Sequence, residues 1–161
     1  MTVLDCGAVR NAPGTSLPGR LRKIFEGLTS VIAKYRPAEC AIETAFYGKN
    51  AQSALKLGHA RGAALLAAVL RSIPTAEYSP REVKKAVVGN GNATKQQVQA
   101  MVMSLLSLKT PPKYFDTTDA LAVAVCHAHR FQGPRRGFKD WKSYLAAHPE
   151  KIRTGLNGTT R

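Results

Sequence analysis

The sequence predicts an α/β fold with at least one pair of parallel strands. After Pro37, short apolar segments of strand length alternate with longer segments whose apolar residues recur at helical spacing. Such alternation is typical of units in which a helix connects two neighbouring parallel strands. The length of 161 residues favours one main domain, which is large enough to bury a core without disulfides.

The first part of the chain is predicted to form a strand, a helix and a second strand. Residues 2–10 have a strand-like composition, and the Pro- and Gly-rich stretch after them predicts a loop. An amphipathic helix then ends before Pro37. Its apolar face comprises Leu21, Ile24, Phe25, Leu28, Val31, Ile32 and Tyr35. The short apolar stretch at residues 40–42 fits a buried strand.

The middle of the chain is predicted to contain a helix, a strand and two capped helices. Residues 51–70 are rich in Ala and Leu, as in a packed helix, and residues 73–78 fit a short strand. Pro80 suits the first turn of a helix, and Thr94 is a favourable cap for the next one. The alternation of strands and helices therefore continues to the last third of the chain.

Charge is the most informative part of the composition. The chain has 24 Lys and Arg residues against 10 Asp and Glu residues, a net charge of +14. This excess predicts a polyanionic partner, with nucleic acid first and an anionic membrane or ribosomal RNA next. A basic protein without any such partner is the alternative.

Cysteine usage and the N-terminal sequence indicate a cytoplasmic protein. The three cysteines, Cys6, Cys40 and Cys126, include no C-x-x-C pair, which argues against a disulfide framework or a zinc site. The sequence has no signal-peptide pattern and no apolar run of membrane-spanning length. We therefore expect a cytoplasmic location without a membrane.

Two aspartates stand at the start of the last apolar helical segment, F-D-T-T-D-A-L-A-V-A-V. Asp116 and Asp119 are three residues apart, so they share one face of a helix. A helix cap explains Asp116, because an acid there suits the positive end of the helix dipole. The cap explains Asp119 less well, although a solvated position in the first turn is an alternative.

A third acid, Glu43, follows the apolar residues of the predicted strand at 40–42. Ligands of α/β sheets gather at the carboxyl ends of strands, and a buried carboxylate needs a cation there. That cation is either an arginine in a salt bridge or a metal ion. If Glu43, Asp116 and Asp119 converge, their hard oxygen atoms suit Mg²⁺ or Mn²⁺. In so basic a protein, such a site suggests metal-assisted phosphodiester chemistry.

Four longer segments, in order along the chain, carry a resemblance to a known family. They are A-I-E-T-A-F, K-N-A-Q-S-A-L-K-L-G-H-A-R-G, E-V-K-K-A-V-V-G-N-G-N-A-T-K-Q-Q-V and D-T-T-D-A-L-A-V-A. Together they resemble RuvC, the bacterial Holliday-junction resolvases. The resemblance implies a ribonuclease H-like fold, a mixed sheet flanked by helices. It also implies a Mg²⁺-dependent homodimer that nicks two opposed strands of a four-way DNA junction alongside a branch-migration motor.

The resemblance assigns roles by position to acids and lysines. Glu43, Asp116 and Asp119 match three of the four catalytic, metal-binding carboxylates of the family. Lys84 and Lys95 match basic residues near the DNA backbone or the active site, where a lysine could hold a phosphate or offset transition-state charge. Solvated helix lysines are the alternative for both.

The resemblance also implies DNA-binding and dimer-forming residues. Phe46 matches an aromatic residue that stacks on a junction base, with a simple core aromatic as the alternative. Lys49 falls in the matching segments and is predicted to contact DNA. The helix at residues 51–70 resembles the dimer-forming helix, where Gly58 and Gly62 would permit close approach.

The sequence departs from the family pattern at its start. The G-I-D-P-G-like first strand, which carries the fourth carboxylate, has no counterpart, and the register places Asp5 on the third strand instead. We therefore expect a ribonuclease H-like fold without its first β-hairpin. Residues 1–130 would be an incomplete resolvase domain, and residues 131–161 a basic, partly disordered extension. A start downstream of the true one, a compromised fold and a second chain filling the gap are the possible explanations.

Three functions follow from these observations. The first is a Mg²⁺-dependent junction endonuclease acting in recombination and repair. The second is a junction- or nucleic-acid-binding protein that is catalytically impaired because the first carboxylate is absent. The third is a basic RNA-associated protein of the same fold.

Overall fold

The structure, a computed structural model, describes residues 1–44 and 51–130. Phe46, Lys49 and the predicted basic extension lie outside these residues. The described helices and strands are, in chain order, α1 (Leu17–Tyr35), β1 (Cys40–Glu43), α2 (Ala51–Val69), β2 (Thr75–Tyr78), α3 (Pro80–Val88), α4 (Lys95–Leu105) and α5 (Phe115–Arg130). The predicted alternation of strands and helices after Pro37 is confirmed.

Strands β1 and β2 form a parallel pair, as predicted. Their register places Cys40 opposite Thr75 and Glu43 opposite Tyr78. Helix α2 lies between the two strands in sequence, which is the connection that a parallel pair requires. Because the strands are parallel, the carboxyl end of each lies at the same edge of the sheet. Glu43 is thereby brought to that edge.

Helices α3 and α4 begin at capping boxes. The Ser79 hydroxyl accepts from the Glu82 amide at 3.3 Å, and the Glu82 carboxylate accepts from the Ser79 amide at 2.8 Å. Thr94 and Gln97 repeat this exchange at 3.2 and 2.8 Å at the start of α4. Each box satisfies backbone donors that a helix start leaves open, so the start of each helix is fixed by its own sequence.

The core lies between α3, α4, α5 and the strand pair. Its buried apolar residues are Tyr78, Val83, Val87, Ala93, Val98, Val102, Leu121, Ala122, Val123, Val125 and Cys126. Helix α5 supplies the largest share of them, because its apolar residues are distributed around most of its circumference. It is therefore the central helix of the described residues.

Helix α2 packs on α1 and leaves a stripe of small and apolar residues in solvent. Leu55, Gly58, Gly62, Leu66 and Val69 are all exposed, and their spacing of three or four places them on one helix face. Open space surrounds the point where a Cβ would lie on either glycine. We call these five residues the α2 stripe.

Among the helices of residues 1–44 and 51–130, none combines the length and the apolar composition that a membrane span requires.

The prediction of a strand at residues 2–10 is wrong, because this segment forms neither helix nor strand. A strand persists when a neighbouring strand bonds its backbone, and the described sheet consists of β1 and β2 alone. Side chains attach the segment instead. The Tyr35 hydroxyl donates to Asp5 at 2.6 Å, and Arg10 donates to the Tyr114 hydroxyl at 2.7 Å.

Replacing Thr94 with Ala is expected to lower the free energy of unfolding by about 1 kcal/mol, because α4 loses its capping oxygen. Ser104, whose hydroxyl is exposed in the same helix, provides the control. Ser104→Ala should change the free energy by less than about 0.5 kcal/mol. Urea unfolding measures both variants, and equal effects would contradict the capping role.

Candidate functional site

Three acids line one open pocket at the carboxyl edge of the sheet. Glu43 ends β1, and Asp116 and Asp119 lie in the first turns of α5. All three line the pocket together with apolar residues of β1 and α5. The structure therefore brings together the three acids that the sequence singled out.

The two predicted lysines face two of these acids. Lys84 of α3 and Lys95 of α4 line a neighbouring pocket with Glu43 and Asp119. The Lys95 ammonium lies 3.2 Å from the Asp119 carboxylate. Two carboxylates and two ammonium groups thus line one concave surface, where negative and positive groups are equal in number.

Glu43 is exposed at the end of β1, but partial desolvation by its neighbours raises its pKa, and the negative charge of Asp119 raises it further. The ammonium groups of Lys95 and Lys84 act in the opposite direction on this pKa. The apolar wall of the same pocket is formed by Pro80, Val83, Val98 and Ala122. A carboxylate in this position is stabilised by any further cation that reaches it.

The donor chemistry of this surface fits a hard divalent cation. Carboxylate oxygens are the ligands that Mg²⁺ and Mn²⁺ prefer. Glu43 and Asp119 adjoin each other closely enough for the charge of one to raise the pKa of the other, and Asp116 lines the same pocket. Within residues 1–44 and 51–130, no three Asp, Glu, His or Cys side chains form one metal-holding group.

Helix α5 begins at Phe115, so Asp116 lies inside the first turn and is not the cap itself. Its charge still suits the positive end of the helix dipole. Asp116 is exposed, whereas Asp119, one turn further on, is partly buried against Lys95. The two aspartates therefore differ in environment although they share a helix face.

Sequence reasoning did not single out the apolar wall of the pocket. Val83 and Lys84 are adjacent in α3, and Val98 follows Lys95 by three residues in α4. Helical spacing could have identified Val98, because a residue three or four places from a predicted site lysine lies on the same helix face. Phe46 and Lys49, predicted to contact DNA, fall in the stretch between β1 and α2 that the structure does not describe.

Comparison with protein-family models gives one match for nearly the whole described chain. The model of "Crossover junction endodeoxyribonuclease RuvC" matches residues 1–127. A curated relative with this name from Pelobacter propionicus is 56% identical over 126 residues, which are 78% of this chain and 71% of the relative. One from Cytophaga hutchinsonii is 40% identical over 154 residues, which are 96% of this chain and 77% of the relative.

Two solved structures that match this chain belong to the same family. "T. thermophilus RuvC in complex with Holliday junction substrate" superposes with a TM-score of 0.76 and 34% identity, covering 80% of this chain and 78% of that one. A second Thermus thermophilus RuvC structure superposes with a TM-score of 0.73 at the same identity, covering 80% and 77% of the two chains. These neighbours confirm the predicted α/β class and ribonuclease H-like fold.

Glu43→Gln is expected to stabilise the metal-free chain at about pH 7.5 and to change its stability little at about pH 3. Because the folded pKa of Glu43 is raised, the folded chain binds more protons than the unfolded chain between the two pKa values. Stability therefore falls as pH rises from the ordinary glutamate pKa to the raised one, and Gln removes this loss.

Thermal unfolding at the two pH values measures the difference. Glu26, whose exposed carboxylate pairs with Arg22 on α1, provides the control as Glu26→Gln. An equal gain in both variants, or a gain for Glu43→Gln that does not depend on pH, would contradict the raised pKa of Glu43 as its cause.

Proposed function

We propose a function from one premise: the chain belongs to the RuvC family of crossover junction endodeoxyribonucleases. The proposal is that it uses Mg²⁺, or Mn²⁺ in its place, to resolve four-way (Holliday) DNA junctions during recombination and repair. One observation carries the assignment of residues. The acids and lysines that the family resemblance implies line adjoining pockets at the end of β1.

Each side chain has a proposed task. Glu43 and Asp119, with Asp116 on the same pocket, would hold the divalent ion through their carboxylate oxygens. The ion, when bound, supplies Lewis-acid chemistry and an activated water. Lys84 and Lys95 would bind the phosphate and offset negative charge as it develops. The ion pair with Asp119 holds Lys95 beside the carboxylates while it does so.

The proposed substrate is four-way junction DNA. The net charge of +14 supports a polyanionic substrate, and one solved relative is a complex with a Holliday junction substrate. Phe46 and Lys49 are proposed to contact this DNA, Phe46 by stacking on a base. Both residues are within the family match and outside the described residues.

Paired nicks require two sites, and we propose that a homodimer supplies them. The α2 stripe supports this proposal, because its exposed leucines offer apolar area and its two glycines let another surface approach closely. A two-fold pair of chains would present one acidic pocket to each of two opposed DNA strands.

The remaining proposals concern organisation in the cell. Residues 1–130 would be the resolvase domain and residues 131–161 a basic extension, which lies outside the described residues. The chain would act in the cytoplasm, without a membrane, together with branch-migration motor proteins.

Junction binding without cleavage is the second candidate function. The observation that favours it is the spacing of the acids, because no three of them in residues 1–44 and 51–130 lie close enough together to hold one metal ion. It predicts salt-sensitive junction binding and no nicks with any divalent ion. Preference for RNA over the junction at fixed salt would instead favour an RNA-associated protein.

With a labelled four-way junction and Mg²⁺, the chain is expected to make nicks in two opposed strands. Asp119→Asn and Glu43→Gln should each lower the cleavage rate by at least about 100-fold, because each removes a charged oxygen ligand. Glu26→Gln, on the exposed face of α1, should cleave at the wild-type rate. Cleavage that survives both site substitutions would refute these residue roles.

Leu66→Glu is expected to convert the dimer to a monomer, because it places a charge within the α2 stripe. Leu57 is exposed on the same helix but lies on a different face, so Leu57→Glu is the matched control. Sedimentation velocity measures the oligomeric state of both variants. A dimer that tolerates Leu66→Glu would exclude the stripe as its interface.

A further inference from the structure

A chain of three side chains joins the sheet to helix α5 beside the candidate site. The Tyr78 hydroxyl and His127 Nδ1 are 2.8 Å apart. His127 Nε2 lies 2.9 Å from the Glu39 carboxylate. Tyr78 ends β2, Glu39 immediately precedes β1, and His127 lies in the last turns of α5. We call these three residues the sheet–helix brace.

The protonation of the brace follows from the charge of Glu39. A carboxylate beside Nε2 favours the proton on that nitrogen, so Nδ1 accepts from the Tyr78 hydroxyl. Each imidazole nitrogen then has an oxygen neighbour, which fixes the orientation of the ring. Tyr78 is only 6% exposed, so its hydroxyl needs this partner.

The brace joins the two elements that carry Glu43 and Asp119. Tyr78 lies opposite Glu43 in the strand register, and the Thr44 amide donates to the Tyr78 carbonyl at 2.8 Å. Asp119 lies about two helical turns before His127 in α5. A shift of α5 along or around its axis would therefore move Asp119 relative to Glu43, and the brace opposes that shift.

The same end of α5 is also tied to the helix that carries Lys84. The Arg130 guanidinium carbon lies 5.2 Å from the centre of the Tyr78 ring, and Arg130 donates to Glu82 at 3.1 Å. Glu82 is the acidic partner of Ser79 in the capping box of α3, the helix that carries Lys84. Helix α3, strand β2 and the residue that precedes β1 thus all contact the C-terminal turns of α5.

We propose that Glu39, Tyr78 and His127 are positioning residues that set the separation of Glu43 and Asp119. The inference rests on the proposed function of those two acids. Apolar packing of α5 on the sheet is non-directional, whereas the hydrogen bond between Tyr78 and His127 at 2.8 Å fixes both distance and angle. The contact of 2.9 Å between His127 Nε2 and the Glu39 carboxylate further limits the distance between α5 and the sheet. A displacement of about 1 Å in an active site can lower the rate by about 100-fold.

Tyr78→Phe tests the proposal, because it keeps the ring and removes the hydroxyl. The rate of Mg²⁺-dependent junction cleavage is expected to fall by about 10- to 100-fold. Junction affinity without divalent ions should be unchanged, since the hydroxyl faces His127. Tyr35→Phe is the matched control: it removes a tyrosine hydroxyl that bonds to Asp5 at 2.6 Å, away from the site, and should keep the wild-type rate.

Two substitutions of Glu39 separate positioning from loss of stability. Glu39→Gln keeps an oxygen within reach of His127 and should keep most of the rate, whereas Glu39→Ala should not. Urea unfolding of both variants gives their stability independently. A rate that falls only in proportion to lost stability would assign the brace a purely structural role.

Amide resonances of the DNA-free and metal-free chain give a readout besides activity. Tyr78→Phe and His127→Ala should shift the resonances of Asp119 and Glu43, and Tyr35→Phe should not. If the wild-type chain binds junctions but does not cleave them, the proposed function fails, while shifted resonances still support positioning. Unshifted resonances, or wild-type cleavage by Tyr78→Phe in an active chain, would overturn the brace.

Discussion

The parallel pairing of β1 with β2 is the constraint on which the site depends. It places Glu43 and Tyr78 side by side at one edge of the sheet. Helix α3 begins immediately after Tyr78, because Ser79 and Glu82 form a capping box there. Lys84 in α3 therefore lies near the sheet edge where Glu43 is located. A different register of one residue would turn Glu43 to the other face of the sheet and separate the two charges.

Partial desolvation raises the pKa of Glu43 in the metal-free chain, and the neighbouring carboxylate of Asp119 raises it further, so the charged form of Glu43 is unfavourable there. Lys95 offsets part of this cost through its contact with Asp119 at 3.2 Å. The divalent cation that we propose for this pocket would relieve the remaining unfavourable charge. Folding therefore holds the acids in place through backbone pairing and helix packing, and it does so against their mutual repulsion.

Short sequence patterns predicted the helix ends and the strand pairing, because these features depend mainly on interactions between neighbouring residues. The helix start at Pro80, the cap at Thr94, the end of α1 before Pro37 and the parallel pair could all be predicted from short patterns. The convergence of Glu43, Asp116 and Asp119 on one pocket also follows from strand ends and helix spacing. These features depend on residues close together in sequence or on a general rule of sheet topology.

Features that depend on distant partners could not be predicted in this way. The segment at residues 2–10 has strand-like composition, but strand formation depends on a neighbour that composition does not reveal. Glu39, Tyr78 and His127 are separated by intervals that match no helical or strand period, so no pattern joins them. Their contact exists only once the sheet and α5 have packed.

Helix α5 connects the acids of the candidate site with the contacts among Glu39, Tyr78 and His127. Its first turns carry Asp116 and Asp119, and its last turns carry His127 and Arg130. The distance from Asp119 to His127 along the axis is about 12 Å, at about 1.5 Å per residue. A helix is stiff over this length, so contacts at its C-terminal end constrain the acids at its start. The buried apolar residues between them hold the helix against the sheet, and the polar contacts at its end determine its rotation.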